Sequence, residues 1–253
     1  MRLFAQAFWL PKSGSTDEEY EDAYSPRQLP SDREVLVSSF KVAVADGATE
    51  TSFSGLWAKL LARSYVRGEL SQQQFGASLR RLQERWRKEV SRKPLPWYGE
   101  EKVRRGAAAA FVGLHLLSSD VESYEGNWEA IALGDCCLVQ IRGAEVVERF
   151  PIKSAGEFSN SPFLLSSNAS IAEGWEDYLR VVSGSWMQDD SFYLMSDALA
   201  AWFMREEENG GTPWDILRDL GASQSLTFAA WIRELRGTLA IRNDDVTLVR
   251  VDL

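Results

Sequence analysis

The order of elements predicts an α+β fold: strands come before and between pairs of helices, with no regular strand–helix alternation. Three observations carry that expectation. Short apolar runs such as Phe40 to Ala45 and Phe192 to Met195 have strand length and stop abruptly near an acid. Residues 54–66 and 71–90 place apolar side chains at helical spacing instead. No internal repeat or low-complexity tract breaks the pattern. Helices packed on one antiparallel sheet, or on a pair of sheets, satisfy all three.

Composition narrows the function. At 253 residues the chain can form one large domain or two small ones, and either buries a sizeable core. A net charge of −9 argues against a nucleic-acid or anionic-membrane partner, because phosphate surfaces need clustered Lys and Arg. It suits a protein that concentrates carboxylates to hold divalent cations. Cys136 and Cys137 are adjacent, so in a strand they face opposite sides and make poor disulfide partners. The apolar start, Met1 to Leu10, is short and lacks a small-residue cleavage site, which favours a strand over a signal peptide. Nothing approaches a membrane span, and the expected compartment is the cytoplasm.

Taken in order, residues 2–10 form a first strand and 11–16 a turn. Asp17 to Tyr24 is acid-rich and reads as a solvated loop, unless a cation lets Glu21 and Asp22 face inward. Val35 to Val37 and Phe40 to Ala45 read as a strand or hairpin pair leading into Asp46-Gly47. Helices follow at 54–66, with Leu56, Trp57, Leu60, Leu61 and Tyr65 on one broad face, and at 71–90, with Phe75, Leu79, Leu82 and Trp86. Pro94 and Pro96 are the stop signal for the second. Its arginines read as a solvated face. Residues 106–117 are a buried strand or a buried helix, which periodicity cannot separate. His115, the sole histidine, sits there among leucines as a core residue, which removes Ser-His-Asp, Cys-His and His-rich zinc chemistry.

Residues 128–133 and 136–141 read as two strands of a tight hairpin around Gly134-Asp135. Another strand spans 145–150. The segment 151–174 is long, rich in Ser, Asn and Gly, and is the natural candidate for a substrate-facing flap. Ser191 to Met195 is a strand ending before Asp197, with helices expected from Ala198, near 213–220 and near 225–235. Asp244 and Asp245 precede a terminal strand.

Glu21, Asp22, Asp46, Asp197 and Asp244 therefore lie at strand edges, with no cysteine or histidine beside them. Oxygen-only donors select Mg²⁺, Mn²⁺ or Ca²⁺. Two such ions can bind a phosphate and lower the pKa of a bridging water, so no protein nucleophile is required.

The ordered set Glu21-Asp22-Ala23, Val44-Ala45-Asp46-Gly47, Leu133-Gly134-Asp135, Leu194-Met195-Ser196-Asp197 and Asn243-Asp244-Asp245-Val246-Thr247-Leu248 resembles the protein phosphatase 2C family of metal-dependent serine/threonine phosphatases. The resemblance implies a single domain over 1–253, a four-layer αββα sandwich and two Mn²⁺ or Mg²⁺ ions between the sheets. Asp46 matches the bridging ligand, with the Gly47 carbonyl and Glu21 on the second ion. Asp22 matches a neighbour that holds water, and Asp197 and Asp244 match ligands of the first ion. Asp46 and Asp22 are thereby the catalytic pair, acting through hydroxide bridging the metals. The implied substrate is a phosphoserine or phosphothreonine protein, with a cognate kinase.

Departures are specific. The family often places an Arg four residues before the Glu-Asp pair to clamp phosphate; Asp17 stands there, and Lys12 on the preceding turn is the available cation. Ala48 occupies a position where eukaryotic members often have His, and Ala198 follows Asp197 in place of Gly. They motivate an alternative, a weak or inactive phosphatase-fold regulator that binds a phosphoprotein. A third reading keeps the chemistry but takes a small phosphorylated metabolite or nucleotide.

Overall fold

The structure is a computed structural model, and it describes residues 1–31, 33–93, 103–159, 161–220 and 225–253. Strands β1 (Arg2–Leu10), β2 (Ala23–Ser25), β3 (Val35–Leu36) and β4 (Ser39–Gly47) precede helices α1 (Ser54–Val66) and α2 (Phe75–Val90). Then come β5 (Ala108–Leu117), β6 (Glu125–Leu133), β7 (Cys137–Arg142), β8 (Glu145–Phe150) and the short β9 (Leu165–Ser166). After β10 (Arg180–Met187) and β11 (Asp190–Met195), the chain forms α3 (Asp197–Glu208), α4 (Pro213–Asp219) and α5 (Ser225–Gly237), and returns as β12 (Val246–Asp252).

Two antiparallel sheets result. One runs β3-β1-β12-β11-β7-β8, the other β10-β6-β5-β4-β2, with β9 paired to the start of β5. Alternation along each strand builds three apolar layers. Leu3, Val249, Phe192 and Leu194 meet Val42, Val44, Val112 and Trp128 between the sheets. The opposite faces, Ala43, Ala45 and Phe111, pack under Trp57, Leu61, Leu79 and Trp86 of α1 and α2. Val139, Tyr193 and Leu248 pack under Trp202, Phe203 and Phe228 of the last helices. Large side chains buried this way each contribute about 1.5–3 kcal/mol by leaving water. The order of layers is helix, sheet, sheet, helix. Cys136, just before β7, and Cys137, its first residue, are free and buried in different layers.

Several local readings give way to long-range pairing. Val35–Leu36 pairs with β1, whereas β4 pairs with β2 and β5, so 35–45 is not a hairpin. Nor is 128–141: β6 and β7 belong to different sheets, and Gly134, at φ +92°, turns the chain from one to the other. Residues 108–117 are a strand, which settles the ambiguity of that apolar run. His115 is half-buried rather than in the core, and Ser39 Oγ lies 2.9 Å from its Nε2. Pro94 and Pro96 lie outside the described residues; α2 ends at Val90.

One polar contact ties the sheets at their edges. Asp190 is fully buried and accepts hydrogen bonds from Arg142 Nε and Nη2, both at 2.8 Å, from Gln140 Nε2 at 2.8 Å and from the Met187 N–H at 2.9 Å. It joins β7, β10 and β11, and so holds together the far end of the sandwich from the acids described next.

Candidate metal and phosphate site

Val42 and Val44 point between the sheets, so the two-residue period of β4 aims Asp46 into the same space. Gly47 follows where no side chain fits: an added Cβ would lie 2.7 Å from the Glu21 carbonyl oxygen and 2.8 Å from the Ser54 carbonyl carbon. That absence lets the Glu21 backbone and the start of α1 close on the end of β4. Asp197 is the first residue of α3, directly after β11, and Asp244 and Asp245 immediately precede β12. Since β11 and β12 are neighbours, these acids arrive at one end of the sandwich.

The carboxylates are crowded. Those of Asp22 and Asp197 each lie within hydrogen-bonding reach of Asp46. Burial pushes Asp22 up to about 8, against a hydrogen bond from Thr247 that favours the charged form. Burial also drives Asp46 well above the ordinary carboxylate range, helped by the charges of Asp22, Asp197, Asp135 and Asp244. Asp197 is raised by burial too, with Arg242 opposing. Asp135, read from sequence as a turn acid, belongs to the same group: burial and then the Asp197 charge bring it to about 7. Its local signal, Gly-Asp between two apolar runs, is the same for a hairpin and for a crossing into this cluster.

Neutral and cationic partners fix the rest. Thr247 Oγ1 donates to Asp22 Oδ2 at 2.7 Å and is itself against the Tyr20 hydroxyl. Asp245, buried, accepts from the backbone N–H of Lys12 at 2.8 Å and of Glu21 at 2.7 Å, one on each oxygen. It therefore places both residues, a role its neighbour Asp244 had overshadowed in the sequence. Glu21 turns its side chain to Ser54 Oγ and to Lys12 Nζ, 3.4 Å away; Lys12 also donates to Thr49 Oγ1 at 3.0 Å. Arg242, half-exposed, pairs with Asp197 Oδ2. Nothing in the sequence signals that contact between residues 45 apart.

Among the described residues, no three acid, histidine or cysteine side chains already converge as ligands of one ion. Two of the five predicted acids, Glu21 and Asp197, are instead occupied by Lys12 and Arg242. The donor chemistry nevertheless fits hard divalent cations. Asp22 Oδ1 and Asp197 Oδ1 are buried and partnerless, and clustered carboxylates with little countercharge hold on to protons. A dication relieves both conditions. Among the described residues, no helix is long and apolar enough to cross a membrane.

The fold is shared with known proteins. Among solved structures, the chain is similar to the Mycobacterium tuberculosis serine/threonine phosphatase PstP/Ppp, at 15% identity and TM-score 0.63, covering 100% of this chain and 99% of that one. The PstP catalytic domain in complex with two manganese ions aligns at 15% identity and TM-score 0.59, over 99% of this chain and 98% of that one. PppA, described as a key regulatory component of T6SS in Pseudomonas aeruginosa, aligns at 16% identity and TM-score 0.56, over 99% and 97%. At those identities the likeness is one of fold. No curated protein matches the sequence. The model of the protein phosphatase 2C family matches residues 17–237, most of the chain, and the chain belongs to that family.

Proposed function

We propose that the protein is a metal-dependent serine/threonine phosphatase acting on phosphoproteins, with two Mn²⁺ or Mg²⁺ ions. The observation that carries the reading is the concentration of Asp22, Asp46, Asp197 and Asp244 at one end of the sandwich, with two buried carboxylate oxygens lacking any partner. In this reading Asp46, Asp197, Asp244 and Glu21 hold the ions, with the Gly47 carbonyl and Asp22 beside them. Bound ions would act as Lewis acids on phosphate oxygens and lower the pKa of water. Asp22 is held by Thr247 through one oxygen, which leaves Oδ1 to accept a hydrogen bond from water. Lys12, fixed through its backbone by Asp245, offers a point charge to the phosphoryl group at the mouth. A serine/threonine kinase is the implied source of the substrate. The segment 151–174 is proposed as the flap; Leu165 and Ser166 pair with Ala109 and Ala108, next to the loop that follows Gly47.

A second reading is favoured by one feature. Lys12 and Arg242 occupy two of the acids that metal needs, which suits a regulator that binds a phosphoprotein without turnover. Phosphate release from a phosphothreonine peptide, with EDTA, Mg²⁺ or Mn²⁺, separates the two. Turnover that requires metal and is lost in Asp197→Asn supports the phosphatase. Peptide binding with no release under any metal supports the regulator.

A further inference from the structure

Beside Glu21 a cleft of about 510 Å³ runs over the start of α1 to the end of α2. Its walls include Lys12, Ser54, Phe53, Lys59 and Lys93. We propose that this cleft is a second anion subsite, which binds an acidic group flanking the phosphorylated residue of the substrate. The inference deepens the phosphatase reading and rests on it for the identity of the ligand.

Charge and position carry the argument. Lys59 is half-buried, and its ammonium is lowered by burial and then by Arg27, Arg63 and Lys93, all of the same sign. Among the described residues no ion pair forms to any of these four cations, although the chain carries net charge −9. Two of the four, Lys59 and Lys93, line the cleft itself, and cations left without an acid partner on such a wall make a place where an anion is stabilised. Glu18, Glu19 and Glu21 also border the cleft, but Glu18 and Glu19 are exposed, Glu19 Oε2 is committed to the Thr16 N–H at 2.8 Å, and Glu21 is taken up by Lys12 and Ser54 Oγ. Lys93 lies over the Phe53 ring at 4.7 Å, which holds its ammonium over this wall.

Distance sets which substrate group reaches it. Gly55 is where α1 touches the Glu21 backbone, an added Cβ there lying 3.1 Å from Glu21 Cα. Lys59 is four residues on, about one helical turn or roughly 6 Å along the axis. An extended peptide advances about 3.3 Å per residue, so the complementary anion sits about two or three residues from the phosphorylated one. A Glu or Asp side chain and a second phosphate share the chemistry required.

The test uses the full chain with Mn²⁺ and phosphothreonine peptides that differ only in flanking charge: neutral, Glu at two or three residues on either side, a second phosphoserine there, and Lys there. Acidic arms are expected to exceed the neutral peptide in kcat/KM by roughly tenfold, mainly through KM, with the Lys arm below it. Whichever acidic arm leads identifies the source of the anion. Lys59→Gln with Lys93→Gln abolishes the advantage and leaves p-nitrophenyl phosphate turnover unchanged, because that substrate has no flank. The single variant Lys93→Gln, at an exposed position, halves the advantage or more without any demand on folding. Equal kcat/KM across the charge series, or an advantage that survives in the double variant, overturns the subsite. If no substrate is hydrolysed, fluorescence anisotropy with the same labelled peptides gives the same comparison, so failure of the phosphatase reading is separate from failure of the subsite.

Discussion

Replacing Arg242 by Gln isolates the contact that, in the proposed reading, competes with metal for Asp197. Its guanidinium is half-exposed, while the Asp197 carboxylate it holds is only 12% exposed. A fully exposed pair of this kind contributes about 0–1 kcal/mol, and removing one partner of a buried pair costs about 3–5 kcal/mol. With one partner in each regime, the variant should lower the stability of the metal-free protein by about 1–2 kcal/mol. At about 2–4 °C per kcal/mol for a chain of this size, the expected fall in metal-free Tm is near 5 °C. In the proposed reading a bound dication and Arg242 compete for the charge of Asp197; in the variant that competition is absent. The same free energy therefore returns as tighter Mn²⁺ binding, about five- to thirtyfold in Kd. Calorimetric titration and thermal denaturation, each with and without Mn²⁺, close the cycle. Metal-loaded Tm values should nearly coincide while the metal-free values separate. Weaker Mn²⁺ binding by the variant would refute the reasoning, because it would make Arg242 a support of the site rather than its competitor.

Two further outcomes follow from the buried carboxylates. In EDTA, stability should fall as pH rises toward about 8: the folded protein keeps the Asp22 proton that the unfolded chain has already released above about pH 4. The slope is about 1.4 kcal/mol per pH unit per group. His115, lowered by burial, acts in the opposite sense below about pH 6.5, so the fall in Tm is cleanest from pH 6.5 to 8; Asp22→Asn reduces it, Asp46 and Asp135 carrying the remainder, and Mn²⁺ flattens it. At the opposite end, Asp190→Ala strips the acceptor from Arg142, Gln140 and the Met187 N–H at once. A loss of about 3–5 kcal/mol in urea denaturation is expected, with Mn²⁺ affinity little changed.

The elements that sequence made legible are those whose cause is local. Asp46 was visible because a continuous apolar run stops at it, and α1, α2 and β12 because their apolar patterns are unbroken. Partners across the sandwich were not visible. A Gly-Asp turn carries the same signature whether the next strand pairs with the last or crosses to the other sheet, which hid both the crossover and Asp135. Strand β10 escaped because its inward face is Val182, Gly184 and Trp186 while its outward face, Val181, Ser183, Ser185 and Met187, mixes apolar with polar, which blurs the alternation. Asp245 and Arg242 were missed for a different reason. Their roles are set by the backbone of Lys12 and Glu21 and by Asp197, which arrive from distant strands only once both sheets are packed.

The central claim is that the acids at the end of β4, β11 and the loop before β12 hold two divalent cations for phosphate hydrolysis. Its most direct test is the stoichiometry of Mn²⁺ binding by calorimetry, wild type beside Asp46→Asn, with p-nitrophenyl phosphate turnover read on the same samples. The account predicts two ions per wild-type chain, loss of at least one in the variant, and turnover that disappears with it. Wild-type turnover undiminished by Asp46→Asn, or a wild-type chain that binds no Mn²⁺, would contradict it.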